Sequence, residues 1–316
     1  MKKVLVLYYS QTGQLNDVVK SFTAPLILDK DIEVTYQNIE PATPYPFPWG
    51  YLKFFDVFPE SVYMDGCKIK DFKNINENDD FDLIILAYTV WFLSPSLPIS
   101  GFLQSKYAKL LKNKPVITLI ACRNMWIMAQ EKMKKKLIEL ESILIDNVVF
   151  TDQGGNFSTF ITTPRWMLTG RRNSFWGLPA AGVAPHEIRN ASRFGYALVD
   201  ALTKNLEKER KSLLHGLIAV KVDNRLIGSE KIATKSFHIW GKLIRKVGNA
   251  GEAKRIPVLA LYFIFLLAMI IIVVPINTIV KPIFRKFNYK KIKEESLYFE
   301  EPSGSSSIRF KEYSNE

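Results

Sequence analysis

The chain reads as an α/β protein: a doubly wound, five-stranded parallel sheet followed by a C-terminal, membrane-associated helical region. Three observations predict this. Apolar runs rich in β-branched residues alternate with helix-period segments through the first two-thirds of the sequence. The first apolar run stops abruptly at a short hydroxyl-rich loop that leads into a helix, a geometry that presents free N–H groups to an anion. Residues 256–274, IPVLALYFIFLLAMIIIVV, carry no charge. At about 1.5 Å per residue they cover about 28 Å, close to the hydrocarbon thickness of a bilayer.

Each element follows from its pattern. Strand one is expected at residues 4–9, and the helix after it places Leu15, Val18, Val19 and Phe22 on one face. Strand two falls at 32–39. Strand three, 83–89, is almost continuously apolar, as a strand covered on both faces should be. A helix near 100–112, strand four at 116–122, a long helix at about 127–143 and strand five at 147–152 complete the alternation. The last helix, about 186–211, carries Ile188, Ala191, Phe194, Leu198, Ala201 and Leu202 as its apolar stripe. The sheet domain is therefore assigned to residues 1–211. Two insertions, about 41–65 and 157–185, are dense in aromatic residues, the second carrying Trp166, Arg171, Arg172, Phe175 and Trp176. Both adjoin the carboxyl ends of strands, where ligands bind in open α/β sheets. They serve there as packed cover or as the walls of a hydrophobic pocket.

At 316 residues the chain has room for one well-buried domain and further parts. Its net charge of +12 points to an anionic partner. Much of the excess flanks the apolar segment, so the partner expected is a lipid bilayer and not a nucleic acid. Cys67 and Cys122 lack metal-ligand spacing and His186, His215 and His238 are scattered, so no metal site is expected and a reducing compartment suits the chain. Met1-Lys2-Lys3 leads straight into the first strand, with no signal-peptide pattern. This assigns the sheet domain to the cytoplasmic face of the inner membrane.

Residues 212–255 mix basic and apolar positions, notably Phe237, Ile239, Trp240, Leu243 and Ile244, and read as an interfacial segment on anionic lipid. Residues 256–280 form the membrane segment, which either spans or, given Pro275, Asn277 and Pro282, dips and returns. Lys242, Arg245, Lys246, Lys254 and Arg255 precede it, and Lys281, Arg285, Lys286, Lys290, Lys291 and Lys293 follow, so the positive-inside rule finds no asymmetry. Residues 281–316 are expected to be basic and then, around Pro302-Ser303-Gly304-Ser305-Ser306-Ser307, disordered.

The loop after strand one, Ser10-Gln11-Thr12-Gly13-Gln14, lacks both the G-x-G-x-x-G fingerprint and the Lys-Ser/Thr ending of a P-loop. It resembles the phosphate loop of flavodoxins, where a Ser/Thr-x-Thr-Gly-x-Thr/Asn pattern wraps the FMN phosphate. Ser10, Thr12 and Gly13 match. Leu15 stands where a hydroxyl residue is usual, with Asn16 or Gln14 as substitute contacts. The resemblance implies a flavodoxin-like fold with FMN as cofactor. It places Thr89, Val90, Trp91 and Phe92 beside the flavin, with Trp91 against the isoalloxazine ring. After strand four it places Cys122, Arg123, Asn124 and Trp126 at the pyrimidine edge, with Trp126 as a second flanking ring. There Arg123 stabilises negative charge or caps a neighbouring carboxylate. Gly154 and Gly155 form a polar turn at the same edge. The charge of +12 excludes the acidic surface of a small flavodoxin-type electron carrier.

More narrowly, the opening VLVLYYSQTGQL, the loop with Trp91, the run CRNMW and the basic, membrane-seeking C-terminal region resemble the dialkylresorcinol condensing enzymes (DarA-type) of bacterial pigment pathways. That resemblance implies an aromatase, partnered with a ketosynthase and an acyl carrier protein, that oxidises a dialkylcyclohexane-1,3-dione to a dialkylresorcinol. A hydride passes to the flavin and a proton to a base, for which His186 and Tyr88 are candidates. Arg171 and Arg172 would bind a dione enolate or contact lipid. Two alkyl chains make such a substrate lipid-like, at about 0.8 kcal/mol per buried CH₂. No Cys-His-Asn or Cys-His-His set for decarboxylative condensation is present. Two other readings stay open: a membrane-bound FMN-dependent NAD(P)H:quinone reductase, and a non-catalytic electron-transfer or scaffold subunit. The sequence does not decide between a monomer and a homodimer.

Overall fold

The computed structural model describes residues 1–273 and 288–313. Its sheet strands are β1 (Lys2–Tyr8), β2 (Ile32–Asn38), β3 (Leu83–Tyr88), β6 (Pro115–Cys122) and β7 (Ile143–Thr151), with a small ribbon of β4 (Val90–Trp91) and β5 (Ser94–Pro95) just beyond β3. The sheet order is β2-β1-β3-β6-β7 and every pairing in it is parallel. Counting sheet strands alone, this is the 2-1-3-4-5 order of flavodoxin-like folds, with the topological switch between β1 and β3. The carboxyl ends of β1, β3 and β6 therefore emerge side by side.

All six residues of β3 (LIILAY) are buried, which explains its lack of polar alternation. Helix α1 (Gln14–Leu28) packs its apolar stripe on the sheet and against α8 (Ser192–Thr203), where Phe22 stacks on Phe194 at 5.6 Å. Gly195 makes that crossing close, since a Cβ there would lie 2.2 Å from the Phe22 carbonyl oxygen.

Several expected boundaries move. The helix expected near 100–112 is α4 (Leu97–Phe102) followed by a separate 3₁₀ turn, Lys106–Leu111. Helix α5 (Ile127–Glu139) stops early because Glu141 takes a left-handed conformation, and β7 begins at once. The last helix of the domain is broken into α7 (Pro185–Arg189), α8 and a 3₁₀ turn between the left-handed residues Asn205 and Arg210. Nor does the domain end at residue 211. Leu213, Leu214, Leu217 and Val220 are buried in the main core.

The tail around Ser303 is ordered, not disordered as its composition suggested. Buried Asp146 of β7 accepts hydrogen bonds from Ser212 Oγ (2.6 Å), Ser303 Oγ (2.7 Å) and the Leu213 N–H (2.8 Å). Ser303 Oγ also accepts from the Asn147 N–H at 2.7 Å. One buried carboxylate thus ties two distant segments to the sheet. Burial lifts its pKa to about 6, against the lowering effect of these donors.

Beyond the sheet, α9 (Ile227–Val247) and α10 (Ile256–Ala268) join α2 (Tyr51–Asp56) and α3 (Phe58–Tyr63) in a second cluster around Phe58, Val62, Ile244, Leu259 and Tyr262. Three of the residues expected on lipid face protein here. Phe237 packs on Phe58 and Trp240 on Tyr262, and Ile244 is buried. Ile239 and Leu243 stay exposed, as does Ile232. Arg255, one of the basic residues that precede the apolar segment, is buried. It donates to Glu60 Oε1 (2.6 Å), Asp56 Oδ1 (3.3 Å) and the Gly248 carbonyl (2.7 Å). Ala253–Ile272 is long and apolar enough to cross a membrane, with mean hydropathy 2.5 and 17% of the segment buried. Pro275, Asn277, Lys281, Pro282, Arg285 and Lys286 lie outside the described residues.

Candidate functional site

The site begins at the end of β1. Gly13 has φ +85° and offers no side chain to cap α1, whose first-turn amides are met instead by hydroxyls of the loop. Ser10 Oγ accepts from the Asn16 N–H (3.3 Å) and Thr12 Oγ1 from the Gln14 N–H (3.5 Å), which sets both hydroxyls at the loop mouth. Gln14 and Leu15 do not join them. Leu15 is in the core, and Gln14 Oε1 accepts from the Val183 N–H at 3.1 Å, holding the loop before α7. Both fall on the inward stripe shared with Val18 and Val19, which turns their side chains away from an anion. Gln11 faces the aromatic insertion, donating from Nε2 to the Pro46 carbonyl (2.9 Å) and accepting from Trp49 Nε1 (3.1 Å).

At the end of β3, Tyr88 is fully buried and its hydroxyl donates to Gln130 Oε1 at 2.6 Å. Burial pushes the phenol well above its ordinary range. Tyr88 is a core hydrogen-bond donor and does not reach a substrate. The ribbon that follows turns through Phe92 (φ 48°) and Leu93 (φ 59°), two bulky residues in the left-handed region that such hairpins usually give to Asn or Gly. Packing holds it there, with Phe92 against Phe54 (5.0 Å) and Phe58 (5.1 Å). Lys132 Nζ donates to Ser94 Oγ (2.7 Å) and the Val62 carbonyl (2.8 Å), and burial pulls its pKa down to about 8. Thr89 Oγ1 is buried with no partner among the described residues. Val90 is half-buried against the core.

Trp91 sits at the centre of an aromatic cluster, with Tyr9 (6.0 Å), Tyr45 (5.1 Å) and Trp49 (5.5 Å) in T-shaped contact. The two insertions meet above it. The Trp49 N–H donates to the Met167 carbonyl (2.8 Å), and Phe47 packs edge-on to Trp166 (6.3 Å). The density of aromatics in residues 41–65 signalled this wall, but nothing in the sequence singled out Tyr45 and Trp49.

The loop after β6 carries positive charge. Arg123 Nε donates to Thr159 Oγ1 (2.9 Å), and its guanidinium lies 3.9 Å from the Phe160 ring centre. Burial lowers its pKa to about 10, so it stays a cation at neutral pH. Asn124 Nδ2 donates to Asn156 Oδ1 (2.7 Å), while Asn124 Oδ1 is buried and unpartnered among the described residues. Trp126 is buried at the start of α5. Burial, then the carboxyls of Glu230 and Asp152, hold the Cys122 thiol well up, so it is no thiolate nucleophile. The Gly154 N–H donates to Asp152 Oδ1 (2.7 Å) in a tight turn, whereas Gly155 faces open space. Glu230, 102 residues along the chain, accepts from the Met128 N–H (3.0 Å) and caps α5, a contact without sequence signal. His186 is exposed on α7, its Nε2 3.7 Å from Glu187, and among the described residues no hydrogen bond or ion pair joins it to these loops. Arg172 donates to the carbonyls of Ala181 (2.9 Å) and Val183 (3.1 Å), while Arg171 is exposed.

The fold is flavodoxin-like. No protein-family model matches the sequence, and no curated protein matches it. Among solved structures, the chain is similar to a flavoprotein in complex with FMN from Lactobacillus acidophilus NCFM. Identity is 19% over 47% of this chain and 93% of that one, with a TM-score of 0.38. A flavodoxin from the domain Archaea gives 9% identity over 64% and 99%, TM-score 0.36. A flavodoxin, WrbA-like protein from Agrobacterium tumefaciens gives 9% over 67% and 100%, TM-score 0.36. In the flavodoxin-like frame, the three loops described above are the ones at the switch point and its neighbour. Among the described residues, no group of three or more His, Cys, Asp or Glu side chains is placed to hold a metal.

Proposed function

We propose that the chain is an FMN-dependent oxidoreductase for a hydrophobic substrate at the membrane, and that it is the aromatase of a dialkylcyclohexane-1,3-dione. The observation that carries the reading is the convergence of three loops at the switch point, closed by aromatic rings. A helix N-terminus whose Gln14 and Asn16 amides lie against the Thr12 and Ser10 hydroxyls stands at one end, and buried oxygens on Thr89 and Asn124, unpartnered among the described residues, stand at the other. These residues fit FMN: Ser10, Thr12 and the amides of the α1 first turn would hold the phosphate. Thr89, Asn124 and Trp91 would meet the ring system. Bound FMN supplies a two-electron acceptor for the hydride that leaves the dione as it aromatises. Arg123 holds positive charge where an anionic ring edge or an enolate is favoured. The aromatic wall would keep water from the flavin and offer alkyl chains an apolar contact.

The test is anaerobic. Protein purified in detergent and loaded with FMN is mixed with a dialkylcyclohexane-1,3-dione while the visible spectrum is recorded. Bleaching by the dione with formation of the resorcinol, and none by NADPH, is the expected result. Bleaching by NADPH alone would replace this reading with a quinone reductase. An inability to bind flavin would leave a scaffold.

A further inference from the structure

The apolar helix α10 does more in this fold than sit beside the sheet domain. Its side chains are built into the aromatic wall that ends at Trp91. Phe263 meets Tyr51 at 4.9 Å and Phe55 at 5.4 Å. Phe55 meets Phe54 at 5.2 Å, Phe54 meets Trp49 at 5.7 Å, and Trp49 meets Trp91 at 5.5 Å. The column thus runs unbroken from the α2–α10 seam to the candidate flavin loops. We propose that this seam is the portal through which the hydrophobic substrate passes laterally from the bilayer to the site, along that column. The proposal rests on the reading of function given above.

Four features support a route over plain packing. The outer end lies beside exposed apolar side chains, Leu52 on α2 and Leu261 and Ile264 on α10, so the column opens onto the surface that a bilayer would cover. The neighbouring face of α9 alternates exposed Ile232, Ile239 and Leu243 with exposed Lys235, Lys242 and Lys246, a pattern matched to an anionic lipid interface. Arg255, paired with Asp56 and Glu60, fixes the start of α10 to α2 and α3. The rings beyond it can therefore part without the helix leaving the domain. Finally, Tyr262 stacks on Phe58 at 4.2 Å with its hydroxyl buried and unpartnered among the described residues. A buried phenol beside an apolar route is a donor for a passing carbonyl.

The test closes the seam reversibly in the full chain, FMN-loaded and reconstituted into vesicles of phosphatidylcholine with anionic phosphatidylglycerol. Tyr51→Cys and Phe263→Cys are combined and bridged with a short reducible bis-methanethiosulfonate linker, with the unsubstituted protein treated identically. Two substrates are compared: a long-chain dialkylcyclohexane-1,3-dione dissolved in the vesicles, and its water-soluble dimethyl analogue. Bridging is expected to lower kcat/KM for the long-chain dione about tenfold or more, to spare the dimethyl compound within about twofold, and to be reversed by reductant. Unchanged turnover of the long-chain dione at full bridging, verified by mass, would overturn the portal. So would an equal loss for both substrates, which would assign the seam to holding the site together. If the reduced protein retains its flavin spectrum yet turns over neither dione, the reading of function fails, and the portal fails with it.

Discussion

Strand β3 and helix α10 are both almost wholly apolar, yet the fold treats them in opposite ways. Every residue of LIILAY in β3 is buried. In α10, IPVLALYFIFLLA, only Leu259 and Tyr262 are buried, while Leu261, Ile264 and Leu267 face outward. Composition alone cannot separate these two stretches; what separates them is what the rest of the chain provides. The sheet has helices for both faces of β3, whereas the second cluster offers α10 one stripe of aromatic partners and leaves the rest uncovered. A surface of that kind marks a contact with lipid or with another protein.

The same substitution made in both elements separates them. Ile85 of β3 is 0% exposed and Ile264 of α10 is 62% exposed. Ile85→Ala should cost about 3–4 kcal/mol of stability, measured by denaturant unfolding. Arg255→Ala comes next, at about 2–3 kcal/mol, because it leaves Asp56 and Glu60 without their cation. Its loss should show in hydrogen exchange as opening of α2, α3 and α10 while β3 stays protected.

A pH series adds a third. Burial holds the Glu230 carboxyl up to about 8. The folded chain therefore keeps a proton that the unfolded chain has lost between about 4.5 and 8, and stability should fall as pH rises through that window. Glu230→Gln removes the titration while keeping an acceptor for the Met128 N–H. Its melting temperature should vary less with pH than that of the parent, with the widest gap at pH 8 and above. The smallest stability effect is Ile264→Ala, within about 0.5 kcal/mol. Paired with Leu261→Ala it should nevertheless weaken binding to anionic vesicles in a flotation assay. A stability loss matching that of Ile85→Ala would mean that α10 is core.

The sheet was legible because its strands are short apolar runs separated by helix-period segments. Ser10, Thr12 and Gly13 suggested an anion loop because their chemistry is local. The side chains of Gln14 and Leu15 turn inward because the helix starts at Gln14, which puts both on the buried stripe. Tyr88 looked available at a strand end, but its hydroxyl turns back to Gln130. The helix breaks at Asn205 and Arg210, the docking of Ser303 on Asp146 and the capping of α5 by Glu230 all depend on tertiary partners far along the chain. No window of sequence contains both members of such pairs.

If the loop after β1 grips a flavin through its phosphate, titration by flavin fluorescence will show it. FMN should be quenched to a stoichiometric endpoint, and riboflavin, which lacks the phosphate, should bind about tenfold or more weakly. Equal affinity for the two, or no quenching of either, would mean that the loop holds no flavin phosphate.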